Sequence, residues 1–183
     1  MKSFQGHFLV ASAKLHDPNF SKTVVLLVEH NDEGAFGVVL NRRVSKTIQE
    51  LWEEFHEPPC DNPQCVNLGG PVSGPLVALH THPPLGEIEV LPGVFYTQER
   101  DHLERLVEQT EHPFKLFVGH SGWGSGQLES ELRQGAWLTT PATREYVFFD
   151  EDQLWMKLTR QIGADLFRSM LKIKQVPDDP TLN

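Results

Sequence analysis

Short apolar runs alternate along this chain with polar breaks marked by glycine, proline, asparagine or aspartate. Phe4–Ser12 reads as a first strand, followed by a turn through Asp17-Pro18-Asn19. Thr23–Glu29 (TVVLLVE) is an apolar, largely β-branched run, the pattern of a strand buried on both faces. A turn over His30–Gly34 returns the chain through Ala35–Leu40, and the two strands pair as a hairpin. Ile48, Leu51, Trp52 and Phe55 then fall on one face of a short helix, with Ser45 as its N-cap and Pro58-Pro59 as its stop.

The second half repeats the alternation. Val66-Asn67-Leu68 is a short approach strand, Leu76–His82 a fuller one, and Ile88–Leu91 and Val94–Tyr96 are strand pieces around Pro92-Gly93. Thr97 caps a helix over Gln98–Gln109 with the stripe Leu103, Leu106 and Val107. Phe114–Gly119 is a strand that enters a glycine-punctuated turn. A helix capped by Ser125 follows, beginning near Gly126 and closed by Gly135. Glu145–Phe149 reads as a late strand, and Glu151–Leu171 as a helical region with a bend at Gly163. Hairpins mixed with helices predict an α+β (α/β-like) fold with a mixed sheet. Residues 1–175 form one domain and 176–183 a polar C-terminal tail.

A net charge of −9 works against nonspecific binding to nucleic acid or anionic membranes. The longest basic cluster is Arg42-Arg43 with Lys46 beyond, too thin for a DNA footprint. No apolar run is long enough to span a bilayer, and Phe8–Ala11 is too short for a signal core, so a cytoplasmic location is expected. Cys60 and Cys65 read as loop cysteines. A metal set with His56, or a redox pair, is the alternative.

Candidate chemistry clusters in Leu116–Leu138. Gly119-His120-Ser121-Gly122-Trp123 approaches a nucleophile elbow, but Trp123 stands where the second glycine belongs. Gly119, Gly122, Gly124 and Gly126 precede a helix start, yet no Gly-Lys-Ser/Thr ending follows and Glu129 and Glu131 would repel an anion. The stretch reads instead as a strand–turn–helix packed through its glycines, with Trp123 filling the space beside them. Elsewhere, Glu29-His30-Asn31 closes the central strand, and a Glu–His pair there could do acid/base work. Asn41-Arg42 falls at the opposite, open end of the hairpin. His80 and His82 share a strand face, and with His120 and Glu87 they are the alternative metal set.

Several blocks together carry a family likeness. They are Gly6–Val10 with Asp17 and Phe20; Thr23–Asn41; Gly69-Gly70-Pro71-Val72 with Leu79-His80; and Gly119–Leu132 with Gly135-Ala136-Trp137. Over most of its length the chain resembles the AlgH/YqgE family of bacterial proteins. The resemblance implies a single domain with a mixed, partly folded-over β-sheet flanked by short helices, and no established biochemical activity. It carries over no catalytic residue. The family commonly has an aromatic residue and an Ala or Ser where His120-Ser121 stand here, which disfavours a nucleophilic Ser121 or a metal-binding His120. The Cys60/Cys65 loop looks particular to this chain.

The resulting expectation is a non-enzymatic cytoplasmic binding or regulatory protein. Its ligand groove draws on Glu29, His30, Asn31, Asn41, His80, Gly119 and Trp123, and its partner is an unidentified protein or small molecule. No catalytic residue, metal or cofactor is assigned. The alternative is a hydrolase-type enzyme using His30 or His80 with a nearby carboxylate. A transcriptional regulator comes second, without a DNA-reading element to support it.

Overall fold

The computed structural model describes residues 3–54, 60–149 and 151–171. Eleven strands among these residues divide between two sheets. The first sheet holds β1 (His7–Ala11), β2 (Val24–Asn31), β3 (Gly34–Val39), β10 (Ser121–Gly124) and β11 (Trp137–Pro141), in the order β10-β3-β2-β1-β11. All its pairings are antiparallel. The second sheet holds β4 (Arg43–Thr47), β5 (Cys65–Leu68), β6 (Val77–His80), β7 (Ile88–Leu91), β8 (Val94–Thr97) and β9 (Phe114–Val118), in the order β4-β5-β9-β6-β8-β7. It is mixed, because β5 and β9 run parallel. The fold is α+β, as the patterning predicts.

Burial follows the strand alternation. Val24, Leu26 and Val28 of β2 share a core with Val77, Leu79 and Phe117 of the second sheet, so the two sheets face each other. Val25 and Leu27 point the other way, into a cluster with Leu9, Trp123, Leu128 and Trp137 beneath α3 (Gln127–Arg133). β2 is therefore buried on both faces. On the outer face of the second sheet, α1 (Ile48–Glu54) and α2 (Arg100–Glu108) cover Val66, Ala78, Phe114 and Leu116. α5 (Glu151–Met170) closes the inter-sheet core with Leu154, Leu158 and Ile162.

Several element boundaries differ from the sequence expectation, each for a local reason. Ser45 lies inside β4, and the cap of α1 is Thr47. Glu50 N–H donates to Thr47 Oγ1 at 3.1 Å and Thr47 N–H to Glu50 Oε2 at 2.7 Å, a reciprocal capping box. Thr97 ends β8, and its hydroxyl donates to Glu87 at 2.6 Å. Glu87 also accepts from Glu99 N–H at 3.1 Å, so a carboxylate from a separate segment serves the start of α2. Ser125 does not cap α3, because its hydroxyl donates to Asp32 O at 2.7 Å and the N-cap position is Gly126. The glycine-rich stretch before it is edge strand β10, and Trp137–Pro141 is a second edge strand. The predicted strand Glu145–Phe149 is the short helix α4 (Arg144–Val147), whose first turn is capped by the Thr143 side chain. α5 runs unbroken through Gly163. Leu76–His82 is shorter than expected, since β6 ends at His80 and His82 precedes a 3-10 turn. Cys65 opens β5 and is exposed, while Cys60 is partly buried. His56 and the tail 176–183 lie outside the described residues.

Candidate functional site

The glycine-rich stretch builds a polar network under α3. Leu128 anchors the helix in the outer core, and the helix offers two carboxylates to the sheet. His30 Nε2 donates to Glu129 Oε1 at 2.8 Å, and Phe4 N–H donates to His30 Nδ1 at 2.9 Å. A backbone N–H on Nδ1 places the imidazole proton on Nε2, so both ring nitrogens are occupied. The ring is buried, and Ser3 Oγ donates to the His30 carbonyl at 2.9 Å, which fastens the N-terminal segment to the hairpin. The Glu129 carboxyl lies below its ordinary range, held there by its own backbone N–H and then by His30. Glu131 Oε2 accepts from the indole N–H groups of Trp123 at 2.9 Å and Trp137 at 2.8 Å. These two rings meet edge to face, and Phe20 packs on both.

The expected groove residues do not all meet. Glu29, Asn31 and Trp123 line one shallow groove of about 290 Å³ with Glu33, Gly34, Ala35 and Phe36. Asn31 is fixed there: its Nδ2 donates to Glu29 at 3.0 Å and its Oδ1 accepts from Glu33 N–H at 2.8 Å. Gly34 is required, because its φ is +146° and a Cβ would come within 2.2 Å of the Trp123 carbonyl. His30 points to the opposite face of β2, toward α3. Asn41 lies at the hairpin base, accepting from Val24 N–H at 2.8 Å and donating to Lys22 O at 2.9 Å. Gly119 sits where the chain leaves β9 for β10, and a Cβ on it would lie 2.8 Å from the Gly70 carbonyl. It allows two backbones to approach, as the packing reading of the glycines requires.

His80 belongs to the second sheet. It is fully buried, stacked on Phe95, and its Nδ1 accepts from His82 N–H at 3.2 Å. Burial, then the neighbouring His82 and His102, pushes its pKa down to about 4. His82 turns to His112, and His120 packs edge-on against Phe36. Among the described residues no group of three or more His, Cys, Asp or Glu side chains is placed to hold a metal ion.

A deeper cleft, of about 410 Å³, lies where β4, β5 and β9 meet the start of α5. Arg43, Gln64, Cys65, Asn67, Lys115, Phe148 and Glu151 are among its lining residues. Lys115 Nζ pairs with Glu151 Oε1 at 2.6 Å and donates to Phe149 O at 3.2 Å. Arg43 binds the other oxygen, Glu151 Oε2, through Nε at 2.9 Å and through Nη2. Burial pushes the Glu151 carboxyl up, but Lys115 and Arg43 outweigh it and hold the group below its ordinary range. Asn67 is 3% exposed; its Nδ2 reaches Leu116 O at 3.5 Å, and its Oδ1 is buried without a partner. One sequence signal points here: Lys115 interrupts the otherwise apolar strand FKLFV.

The AlgH-like family model matches residues 8–167. A UPF0301 protein of Chlorobaculum tepidum is 38% identical over 167 residues, covering 87% of each chain. One of Idiomarina loihiensis is 35% identical over 178 residues, covering 92% of this chain and 96% of its own. The solution structure of the AlgH protein from Pseudomonas aeruginosa superposes with a TM-score of 0.73 at 29% identity, over 96% of this chain and 99% of that one. A crystal structure from Corynebacterium diphtheriae shares the fold, with a TM-score of 0.71 at 23% identity over 88% of each chain.

Proposed function

This chain belongs to the AlgH-like family, whose biochemical function is unknown, and on that premise we propose that it is a non-enzymatic cytoplasmic binding or regulatory protein. Its contact surface is the groove at the hairpin tip lined by Glu29, Asn31, Phe36 and the Trp123 strand. The observation that carries this reading is the division of labour on β2. His30 is buried with both ring nitrogens engaged, while Glu29 and Asn31 on either side are exposed and hydrogen-bonded to each other. A hydrolase built on His30 would need a free nitrogen facing solvent. One built on His80 would need access to a side chain that is fully buried. Geometry therefore favours binding over catalysis.

Glu29 and Glu33 give the groove negative charge, and no cationic side chain among the described residues lines it, so the favoured partner presents a lysine or arginine side chain. The absence of a DNA-reading element and the net charge of −9 weigh against a transcriptional regulator that grips DNA directly. No helix among the described residues is long and apolar enough to cross a membrane, which is compatible with the cytoplasmic location.

An NMR titration with a hexalysine peptide at physiological salt tests the proposal. Saturable shifts should concentrate on Gly34, Ala35 and Phe36, and combining Glu29→Gln with Glu33→Gln should weaken binding roughly tenfold. Shifts scattered over the acidic surface and indifferent to the double substitution would sink it.

A further inference from the structure

We propose that the cleft between β4, β5, β9 and α5 is a second binding site, and that it takes a small uncharged molecule bearing an amide edge. By this we mean an N–H donor and a carbonyl acceptor side by side on a flat apolar body. A primary amide, a lactam and a nucleobase share this chemistry.

The inference starts from what is already paired. Lys115 is engaged with Glu151 and the Phe149 carbonyl, and both carboxylate oxygens of Glu151 receive a cation. Both cations of the cleft are thus engaged by one carboxylate, and Asp152, outside the lining, adds a second negative charge acting on Arg43. What remains is a neutral acceptor, Asn67 Oδ1. Its residue is buried, its atom is without a partner, and it lines the cleft. A buried acceptor that has left water and gained nothing costs free energy, unless a donor arrives. The neighbouring Nδ2 directed at Leu116 O orients the amide, so that the carbonyl end is the one left over.

The rest of the cleft completes the complementarity. Pro113 and Phe148 supply apolar walls that suit a flat body. Arg43, about half exposed, holds Glu151 through two of its three nitrogens, and a guanidinium carries five N–H donors in all. Its outer edge can receive the ligand's carbonyl. A volume of about 410 Å³ lies in the range of small-molecule sites. This site stands apart from the hairpin-tip groove, shares no lining residue with it, and does not depend on that proposal.

Three probes of nearly equal shape separate the outcomes: benzamide, which has donor and acceptor; methyl benzoate, which has only the acceptor; and benzoate, an anion. Each is titrated into the full chain by NMR, with the backbone amides of Cys65, Asn67, Lys115 and Phe117 as reporters, and uracil then distinguishes a nucleobase from a simple amide. Benzamide should bind saturably and about tenfold more tightly than methyl benzoate, the factor one hydrogen bond supplies. Asn67→Leu removes the orphaned acceptor and keeps the number and branching of the side-chain heavy atoms. It should abolish the preference for benzamide while leaving the Tm unchanged or higher, since a residue retained for folding alone would lower it. Equal binding of benzamide and methyl benzoate, tighter binding of benzoate, or no saturable shifts at these residues would overturn the proposal. So would an Asn67→Leu variant that keeps the preference.

Discussion

The network under α3 and the cleft beside α5 use similar parts and reach different ends. In each, a carboxylate from a helix is brought onto a donor from a buried strand: Glu129 on His30 in one, Glu151 on Lys115 in the other. Under α3 the valences close. Both nitrogens of His30 are engaged, and a single oxygen of Glu131 takes two indole N–H groups. Beside α5 one carboxylate engages both cations, but Asn67, a residue that lines the cavity, keeps its buried Oδ1 without a partner. A saturated polar network orders a fold. One with a leftover buried acceptor, in a residue that lines a cavity, has room for a ligand. Titratable residue types do not tell the two apart; counting donors against acceptors does.

The comparison breaks most visibly at Lys115. Lys115→Met strands Glu151 with Arg43 alone in a buried setting and should cost about 3 kcal/mol in urea unfolding. Pairing it with Glu151→Leu should recover much of that loss. A single substitution that leaves stability unchanged would show that the pair is not held dry. Next comes Glu131→Leu, which leaves two buried indole donors unpaired and should cost about 2 kcal/mol, whereas Glu131→Gln keeps an acceptor and should cost less than half as much. If both cost the same, the carboxylate's charge, and not its acceptor role, holds the tryptophans.

A pH-dependent effect belongs to the buried His80. The pKa of His80 falls from 6.5 to about 4 on folding, so the unfolded chain takes up the proton first as pH drops. Stability contributed by neutral His80 is intact above pH 6.5 and should be lost progressively down to about pH 4. A urea midpoint measured across that window should slope less in His80→Leu than in the parent. The smallest effect belongs to the exposed groove: Glu29→Gln should change stability by less than about 0.5 kcal/mol. A larger loss would move Glu29 from the contact surface into the fold's own support.

Much of the fold was legible because its strands obey simple periodicity. The run Thr23–Glu29 announced a strand buried on both faces, and β2 is that strand. The separation of Asn41 from His30 followed from hairpin geometry alone. What escaped had weak local signals. β10 is a four-residue edge strand carrying two glycines, and it is a strand only because β3 lies beside it. β4 is mostly exposed and pairs with β5 through an irregular ladder, so no alternation marks it. The groove was half legible, since Glu29, Asn31 and Trp123 meet while His30, Asn41, His80 and Gly119 do not. The cleft was nearly invisible, because Arg43, Asn67, Lys115 and Glu151 are spread over 108 positions and meet only after both sheets form.

The passage at Gly119 has a kinetic consequence. The first sheet draws its strands from the two ends of the described chain, and the second is an uninterrupted middle portion, β4 to β9, set between β3 and β10. β10 cannot reach β3 until about eighty intervening residues have been gathered in, a loop closure whose entropy must be met before the contact rewards it. The middle portion is thus placed to fold early. The α3 network, which joins the N-terminal hairpin to the segment beyond Gly119, is placed to form last and to report complete folding.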